Sequence, residues 1–231
     1  MAKKEFFAIV DTETTKNDHV FDIACIIVDR RGVIHNKMAV IVRDFINEEL
    51  FYDNNNAAWS KQIAIKKREE YEKMLSDGRR VVASVTAINR WMDKAIGQYN
   101  PTLTAYNLSF DADKSHKSGI DLTGFSNRFC LWYAAANIFG NSKNFKAFAL
   151  ENHYFGNRTK NANMVIKTNA EVMAHFVTGD NVHEPHTALE DAQFFELPIL
   201  KAVVNKKGWK NKLEKAFHWQ DFVVKNHFKA K

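Results

Sequence analysis

Four acidic side chains and one histidine, drawn from three distant segments, are the residues here whose types and spacing could do chemistry. Asp11 and Glu13 follow the apolar run Phe6-Phe7-Ala8-Ile9-Val10. A continuous apolar run of that length with polar flanks reads as a short buried strand. Side chains two apart on a strand share a face, and each residue rises ~3.3 Å, so the two carboxylates project together roughly 7 Å apart. Carboxylates that close repel, and burial makes ionisation costlier still. Divalent cations resolve the conflict by supplying positive charge and accepting oxygen ligands. An Asp-x-Glu at a strand end also suits a solvated turn, so the pattern has to be completed by acids from other element ends. Asp111 follows the strand-like run Thr102-Leu103-Thr104-Ala105-Tyr106. It falls in the first turn of a short helix, with Ser109 as N-cap and Gly119 as the stop. There it also suits the helix dipole. Asp191 lies in the stretch from Ala188 to Leu197, read as a helix set up by Pro185, on a face with Ala188, Phe194 and Phe195. An aspartate on an apolar helix face is costly unless it is paired or metal-bound. His186 stands five residues before it.

The elements that must position these groups can be read from the apolar spacing. Ile23–Val28 and Ala39–Val42 make two further strands, with a turn at Asp29-Arg30-Arg31-Gly32. Sequential strands with short links are most simply antiparallel neighbours. Residues 51–99 then turn helical. Asn54-Asn55-Asn56 marks a loop, and Trp59, Ile63, Tyr71 and Met74 share one face of a Lys- and Glu-rich helix. Asp77-Gly78 breaks it, and Val81, Val85, Ile88, Met92, Ala95 and Ile96 form a second stripe. Arg128–Tyr133 reads as a short strand entering a helix, and Phe145, Phe148, Ala149 and Leu150 as a helix closed at Gly156. Asn157–Lys167 reads as a polar loop whose Arg158, Lys160 and Lys167 are solvated or touch phosphate. Pro198 is expected to kink or end its helix. The segment 205–231 mixes Lys206, Lys207, Lys210, Lys212 and Lys215 with Trp209, Phe217 and Trp219. Leu213, Phe217 and Val224 give it a helical stripe, so it reads as a basic closing helix or as a tail that stacks on single strands.

Composition bounds the class. The 231 residues are 45% hydrophobic and 26% charged, the balance of an ordinary globular protein. A net charge of +6 favours a polyanionic partner. No apolar run approaches a membrane span, and the five apolar residues after Met1–Glu5 are too few for a signal-peptide core. A cytoplasmic protein is therefore expected. Cys25 and Cys130 read as small buried hydrophobes in a reducing compartment. With no repeat and no Pro/Gly linker, residues 1–231 read as a single domain, with a helical insertion at about 51–99 and a basic C-terminal segment at about 205–231.

Three motifs in order carry a family resemblance. Asp11-Thr12-Glu13-Thr14-Thr15, Asn107-Leu108-Ser109-Phe110-Asp111 and His186-Thr187-Ala188-Leu189-Glu190-Asp191-Ala192 together resemble the DEDDh family of 3′-to-5′ exonucleases. Ribonuclease T, oligoribonuclease and the proofreading subunit of bacterial DNA polymerase are of this type. The resemblance implies a ribonuclease H-like α/β fold: a mixed central sheet, three antiparallel strands first and parallel additions after, flanked by helices. It implies two Mg²⁺ or Mn²⁺ ions held by Asp11, Glu13, Asp111 and Asp191, with Asp11 bridging. His186 would take a proton from the attacking water. Thr12, Thr14, Thr15, Asn107 and Phe110 would position the terminal nucleotide. The implied substrate is single-stranded DNA, with RNA 3′ ends or short oligoribonucleotides as the alternative, and the implied products are nucleoside 5′-monophosphates. A polymerase or repair partner is implied too, and an inactive nucleic-acid-binding scaffold is the reading from another class. Lys16 departs from the family, which commonly has glycine there, and the 51–99 helices exceed what a compact member needs. Zinc on His183, Glu184 and His186 is a poorer fit, since the helical His-Glu-x-x-His spacing is missing. His183 as the base is poorer as well, because its spacing to Asp191 does not match.

Overall fold

Two long apolar strands set the architecture. In the computed structural model, β1 (Phe6–Thr14) pairs antiparallel with β2 (Val20–Asp29), which pairs antiparallel with β3 (Ile34–Val42). Every residue of β2 is buried. A strand covered on both faces reads as an unbroken apolar run rather than an alternation. Three short parallel strands extend the sheet: β4 (Val81–Ala83) beside β3, β5 (Thr102–Ala105) beside β1, and β6 (Arg128–Cys130) beside β5. The order is β4-β3-β2-β1-β5-β6. This is the expected mixed α/β sheet, antiparallel strands first and parallel additions after, consistent with a ribonuclease H-like arrangement. The structure describes residues 4–51, 58–158, 163–213 and 218–224, leaving aside the side chains of residues 58–61, 157, 158 and 219.

Eight helices flank the sheets within the described residues: α1 (Ala58–Ser76), α2 (Val85–Tyr99), α3 (Leu108–Lys117), α4 (Leu131–Ala135), α5 (Lys143–Glu151), α6 (Ala170–Thr178), α7 (Ala188–Asp191) and α8 (Leu197–Val204). The period of two along β1 decides which helices meet which side chains. Ala8 and Val10 join Ile88 and Met92 of α2 in one core. Phe7 and Ile9 join Met173 of α6 and Ile199 of α8 in the other. Asp11 and Glu13 continue the parity of Phe7 and Ile9. The sheet therefore delivers both acids to the side covered by the late helices, where Asp191 also lies.

Several expectations change. The first three strands are longer than their apolar runs, and β1 carries Asp11 and Glu13 within it rather than beyond its end. Val81 belongs to β4, not to the second helix, which begins after Ser84 accepts a hydrogen bond from the Ala87 N–H. Asn157–Lys167 is not simply a loop. Phe155–Arg158 (β7) and Met164–Ile166 (β8) pair antiparallel, and Val223–Val224 (β9) completes a second, three-stranded sheet. Gly156 accordingly sits in a strand, and α5 ends at Glu151. Pro198 does not end its helix. The chain stays helical from Ala188 to Val204, and the π-helical turn at Ala192–Glu196 immediately before the proline is the local irregularity that accommodates it.

The closing segment is not a helix in its described part. It forms 3₁₀ turns at Trp209–Lys212 and Trp219–Phe222 and then β9. Trp209 is buried between Phe7 and Phe129, at 5.9 and 5.6 Å, and offers no stacking platform. Asn54–Asn56, Lys160, Lys215 and Phe217 lie outside the described residues, as do the side chains of Trp59, Arg158 and Trp219. Cys25 is buried and Cys130 partly so, and neither is in a disulfide. Among the described residues, no helix is long and apolar enough to cross a membrane.

The turn before β9 is seated by close approach. A Cβ at Gly140 would lie 2.7 Å from Cε1 of the buried Phe222 ring. Gly140→Ala is expected to displace that ring and lower stability by about 1–3 kcal/mol. Urea unfolding followed by circular dichroism measures this, and an unchanged midpoint would contradict the packing described.

Candidate active site

Each acid reaches the site through a distinct local device. On β1, Asp11 stands opposite Ala24 and Glu13 opposite Asp22 of β2. Both are half-buried. Asp111 enters on α3, which follows β5 almost directly. Asn107, not Ser109, caps that helix, at a φ of 75° that asparagine tolerates better than most residues. Ser109 instead donates to Asn107 Oδ1 at 3.1 Å. Asp111 is only 3% exposed, and the Thr12 hydroxyl donates to its Oδ1 at 2.8 Å, tying β1 to α3. Asp191 closes α7, whose N-cap is Thr187 rather than a residue set by Pro185. The Thr187 N–H donates to Asp191 Oδ2 at 3.0 Å.

The acids crowd one another. Burial, then Glu196, Asp111, Glu13 and Asp191, push the Asp11 carboxyl well above its ordinary range. Glu13 is raised by burial and then by Asp191 and Asp22. Burial pushes Asp111 up to about 7, and burial followed by Glu184 pushes Asp191 up to about 8. Glu13, His186 and Asp191 each place one ligand atom within 4.8 Å of the others, a group able to hold a metal ion. Buried Asp11 Oδ2, Asp191 Oδ1 and Glu196 Oε2 have no hydrogen-bond partner among the described residues. Orphaned buried carboxylate oxygens are costly unless protonated or met by a cation. Hard oxygen donors of this kind fit Mg²⁺ or Mn²⁺. The donor chemistry and the missing internal partners suit such an ion, while Asp11 and Asp111 lie outside the 4.8 Å group of Glu13, His186 and Asp191.

The residues expected to hold the terminal nucleotide are spread more widely. Phe110, beside Asp111, is 40% exposed with the Lys114 ammonium 5.1 Å from its ring, so it is not core packing. Thr14 is buried, and its carbonyl accepts the Phe51 N–H at 2.9 Å. Thr15 is fully buried. Its hydroxyl donates to Glu48 at 2.6 Å and accepts the N–H groups of Asn17 and His19, which fixes the β1–β2 turn. Lys16, where the family commonly has glycine, pairs with Glu49 at 2.5 Å. His183 is held by Glu171 at 2.5 Å, while the metal-capable group uses His186. Phe194 does not share the buried face of Asp191; it is exposed, and Phe195 is buried.

Sequence reasoning missed three kinds of residue. Glu196 is buried and accepts the Tyr106 N–H at 2.8 Å. It lies five residues after Asp191, off the face in a regular α-helix. The π-helical turn between them, with its i→i+5 bonding, changes that register. Arg80, with no exposed side-chain surface, bonds both oxygens of Asp22 at 3.0 and 3.2 Å and Glu190 at 2.6 Å. The Ala188 N–H adds a bond to Asp22 at 3.0 Å, so Arg80 and Asp22 seat the start of α7 against β2. Lys67 of α1 is the third, a cation whose charge bears on Glu13, Asp191 and His186. The sequence matches no known protein-family profile, and no curated protein is similar enough to it to establish kinship.

Two outcomes follow from this geometry. Arg80→Met strands the buried Asp22 carboxylate and unpairs the partly buried Glu190, and is expected to cost about 3–5 kcal/mol, read by chemical denaturation; a loss below about 1 kcal/mol would contradict the clamp. The second concerns pH. Asp111 and Asp191 have folded values above the ordinary 3.8, so between about pH 4 and 8 the native state holds more protons than the unfolded one. Their contribution to stability therefore falls as pH rises through that window. A cation competing with those protons should stabilise the fold more at about pH 8 than at about pH 6. Thermal midpoints with Mg²⁺ and with EDTA measure this, and a shift equal at both pH values would contradict it.

Proposed function

We propose that this chain is a metal-dependent 3′-to-5′ exonuclease that acts on single-stranded DNA and releases nucleoside 5′-monophosphates. One observation carries the reading. Carboxylates from β1, α3 and α7 come within each other's electrostatic reach, and the buried oxygens of Asp11 and Asp191 have no internal partner. Mg²⁺ or Mn²⁺, when bound by Asp11, Glu13, Asp111 and Asp191, would neutralise charge at the scissile phosphate and make bound water more acidic.

The chain's own residues divide the remaining work. His186 is exposed as a residue, yet partial desolvation of its ring, and then the charge of Lys67, hold the imidazole below its ordinary 6.5. It is therefore neutral near pH 7 and able to accept a proton from water. Its ring lies within 4.8 Å of Glu13 and Asp191, so a water between them is in its reach. Thr12 fixes the carboxyl of Asp111. The exposed ring of Phe110, next to Asp111 in the chain, would offer a stacking face to an unpaired base. The net charge of +6 favours a polyanion.

A 5′-labelled single-stranded oligonucleotide is expected to shorten stepwise with Mg²⁺ or Mn²⁺ and to stay intact with EDTA. Asp11→Asn should abolish the reaction, and His186→Ala should slow it about 10²- to 10⁴-fold. DNA and RNA strands run side by side fix the substrate. A wild-type rate in Asp11→Asn would sink the assignment.

A further inference from the structure

Helix α1, longer than the site alone requires, reaches the segment that carries His186. Its own anchorage is on the face that also carries Lys67, one and two turns further along the helix. Tyr71 and Met74 are buried against Phe21, Ile41 and Leu50, and Arg68 donates to the carbonyls of Ile46 and Glu48 at 3.0 and 2.6 Å. From this fixed base Lys67 extends with only 14% of its side chain exposed. Its ammonium pairs with Glu70 at 2.7 Å and donates to the carbonyl of Pro185. Lysine normally runs its ammonium out to water. Here it is held in, on a backbone oxygen immediately before His186.

That next residue is the strained one. His186 has a φ of 53°, in the left-handed region, which a non-glycine residue occupies at a cost. Such a conformation persists only where the surroundings over-determine it. On the C-terminal side, the Thr187 N–H is held by Asp191 and the Thr187 hydroxyl by Glu190 at 2.8 Å. Further upstream, His183 is held by Glu171 of α6. Lys67 supplies the restraint directly on the N-terminal side of the turn.

We infer that Lys67 is a positioning residue: by holding the Pro185 carbonyl it fixes the left-handed turn that presents His186 to Glu13 and Asp191, and α1 thereby latches the reactive segment. The kinetic part of this inference rests on the role of His186 proposed above; the structural part does not. A simple phosphate contact is the alternative use for a lysine here, and it makes different predictions.

The test compares wild type, Lys67→Ala and Lys67→Arg by amide hydrogen exchange across 181–188 and by exonuclease kinetics on single-stranded DNA. In Lys67→Ala, exchange across that segment should quicken about tenfold or more while the β1 and β2 amides stay unchanged. The kcat should fall about 10- to 100-fold with KM nearly constant, as expected for a misplaced base. Lys67→Arg, which keeps a charged donor, should restore much of both. Unchanged exchange in Lys67→Ala overturns the latch. So does a raised KM with a shallower salt dependence and intact kcat, which would mark a phosphate contact. If the wild type cuts no nucleic acid but the exchange difference holds, the nuclease reading fails and the latch stands.

Discussion

Crowded carboxylates are the constraint around which this protein is built. Unscreened like charges in a site of low dielectric repel strongly, and each raises the cost of ionising the next. The fold has the means to neutralise buried acids: Asp29 is met by Lys4, Arg31 and His35, and Asp22 by Arg80. Arg80 lies between Asp22 and Glu190 with none of its side chain exposed. Among the described residues, Asp11, Asp111 and Glu196 form no ion pair, and burial and neighbouring acids raise Asp11 and Glu196. Lys67 bears on Glu13 and Asp191 but is bonded elsewhere. One set of acids is thus tied off as scaffold, and an adjoining set is left with orphaned oxygens. The scaffold set borders the other directly, since Asp22 stands opposite Glu13 across β1 and β2 and Glu190 precedes Asp191.

Part of the backbone irregularity lies at the site, although Asp18, Asn100 and His153 also take positive φ and a second π-helical turn runs over Ala136–Gly140. Asn107 takes a φ of 75° where β5 hands over to α3, and His186 takes 53° before α7. A π-helical turn follows Asp191 and leads to Glu196. Left-handed non-glycine residues and π turns are uncommon, and each needs its surroundings to hold it. The supporting bonds come from other elements: α1 through Lys67, α6 through Glu171 and β2 through Asp22. Rigid, well-packed strands carry Asp11 and Glu13, while the later groups depend on these cross-braces.

What the sequence disclosed depended on how local the cause was. Asp11 and Glu13 on one face follow from the period of two, and the antiparallel order of the first strands follows from their short links. Asp191 stood out because a charge interrupted an apolar helix face. Arg80 could not be found that way, because its partners Asp22 and Glu190 are 58 and 110 residues distant in sequence. Glu196 was hidden by assuming a uniform α period through a stretch that turns π-helical. Val81 fitted a helical stripe at i, i+4, and only pairing with β3 makes it a strand. The hairpin at 155–166 is rich in polar residues and lacks the alternation that marks a strand. Trp209, set among lysines, looked like a nucleic-acid platform, yet its ring fills the core against Phe7.

The central claim is that the unpartnered acids are a cation site. The most direct measurement is anomalous diffraction from crystals soaked in Mn²⁺ and collected near the manganese edge. The account predicts two peaks roughly 4 Å apart among the carboxylates of Asp11, Glu13, Asp111 and Asp191. A clean map over that cluster, with the Asp11 and Asp191 oxygens hydrogen-bonded to protein neighbours instead, would contradict it.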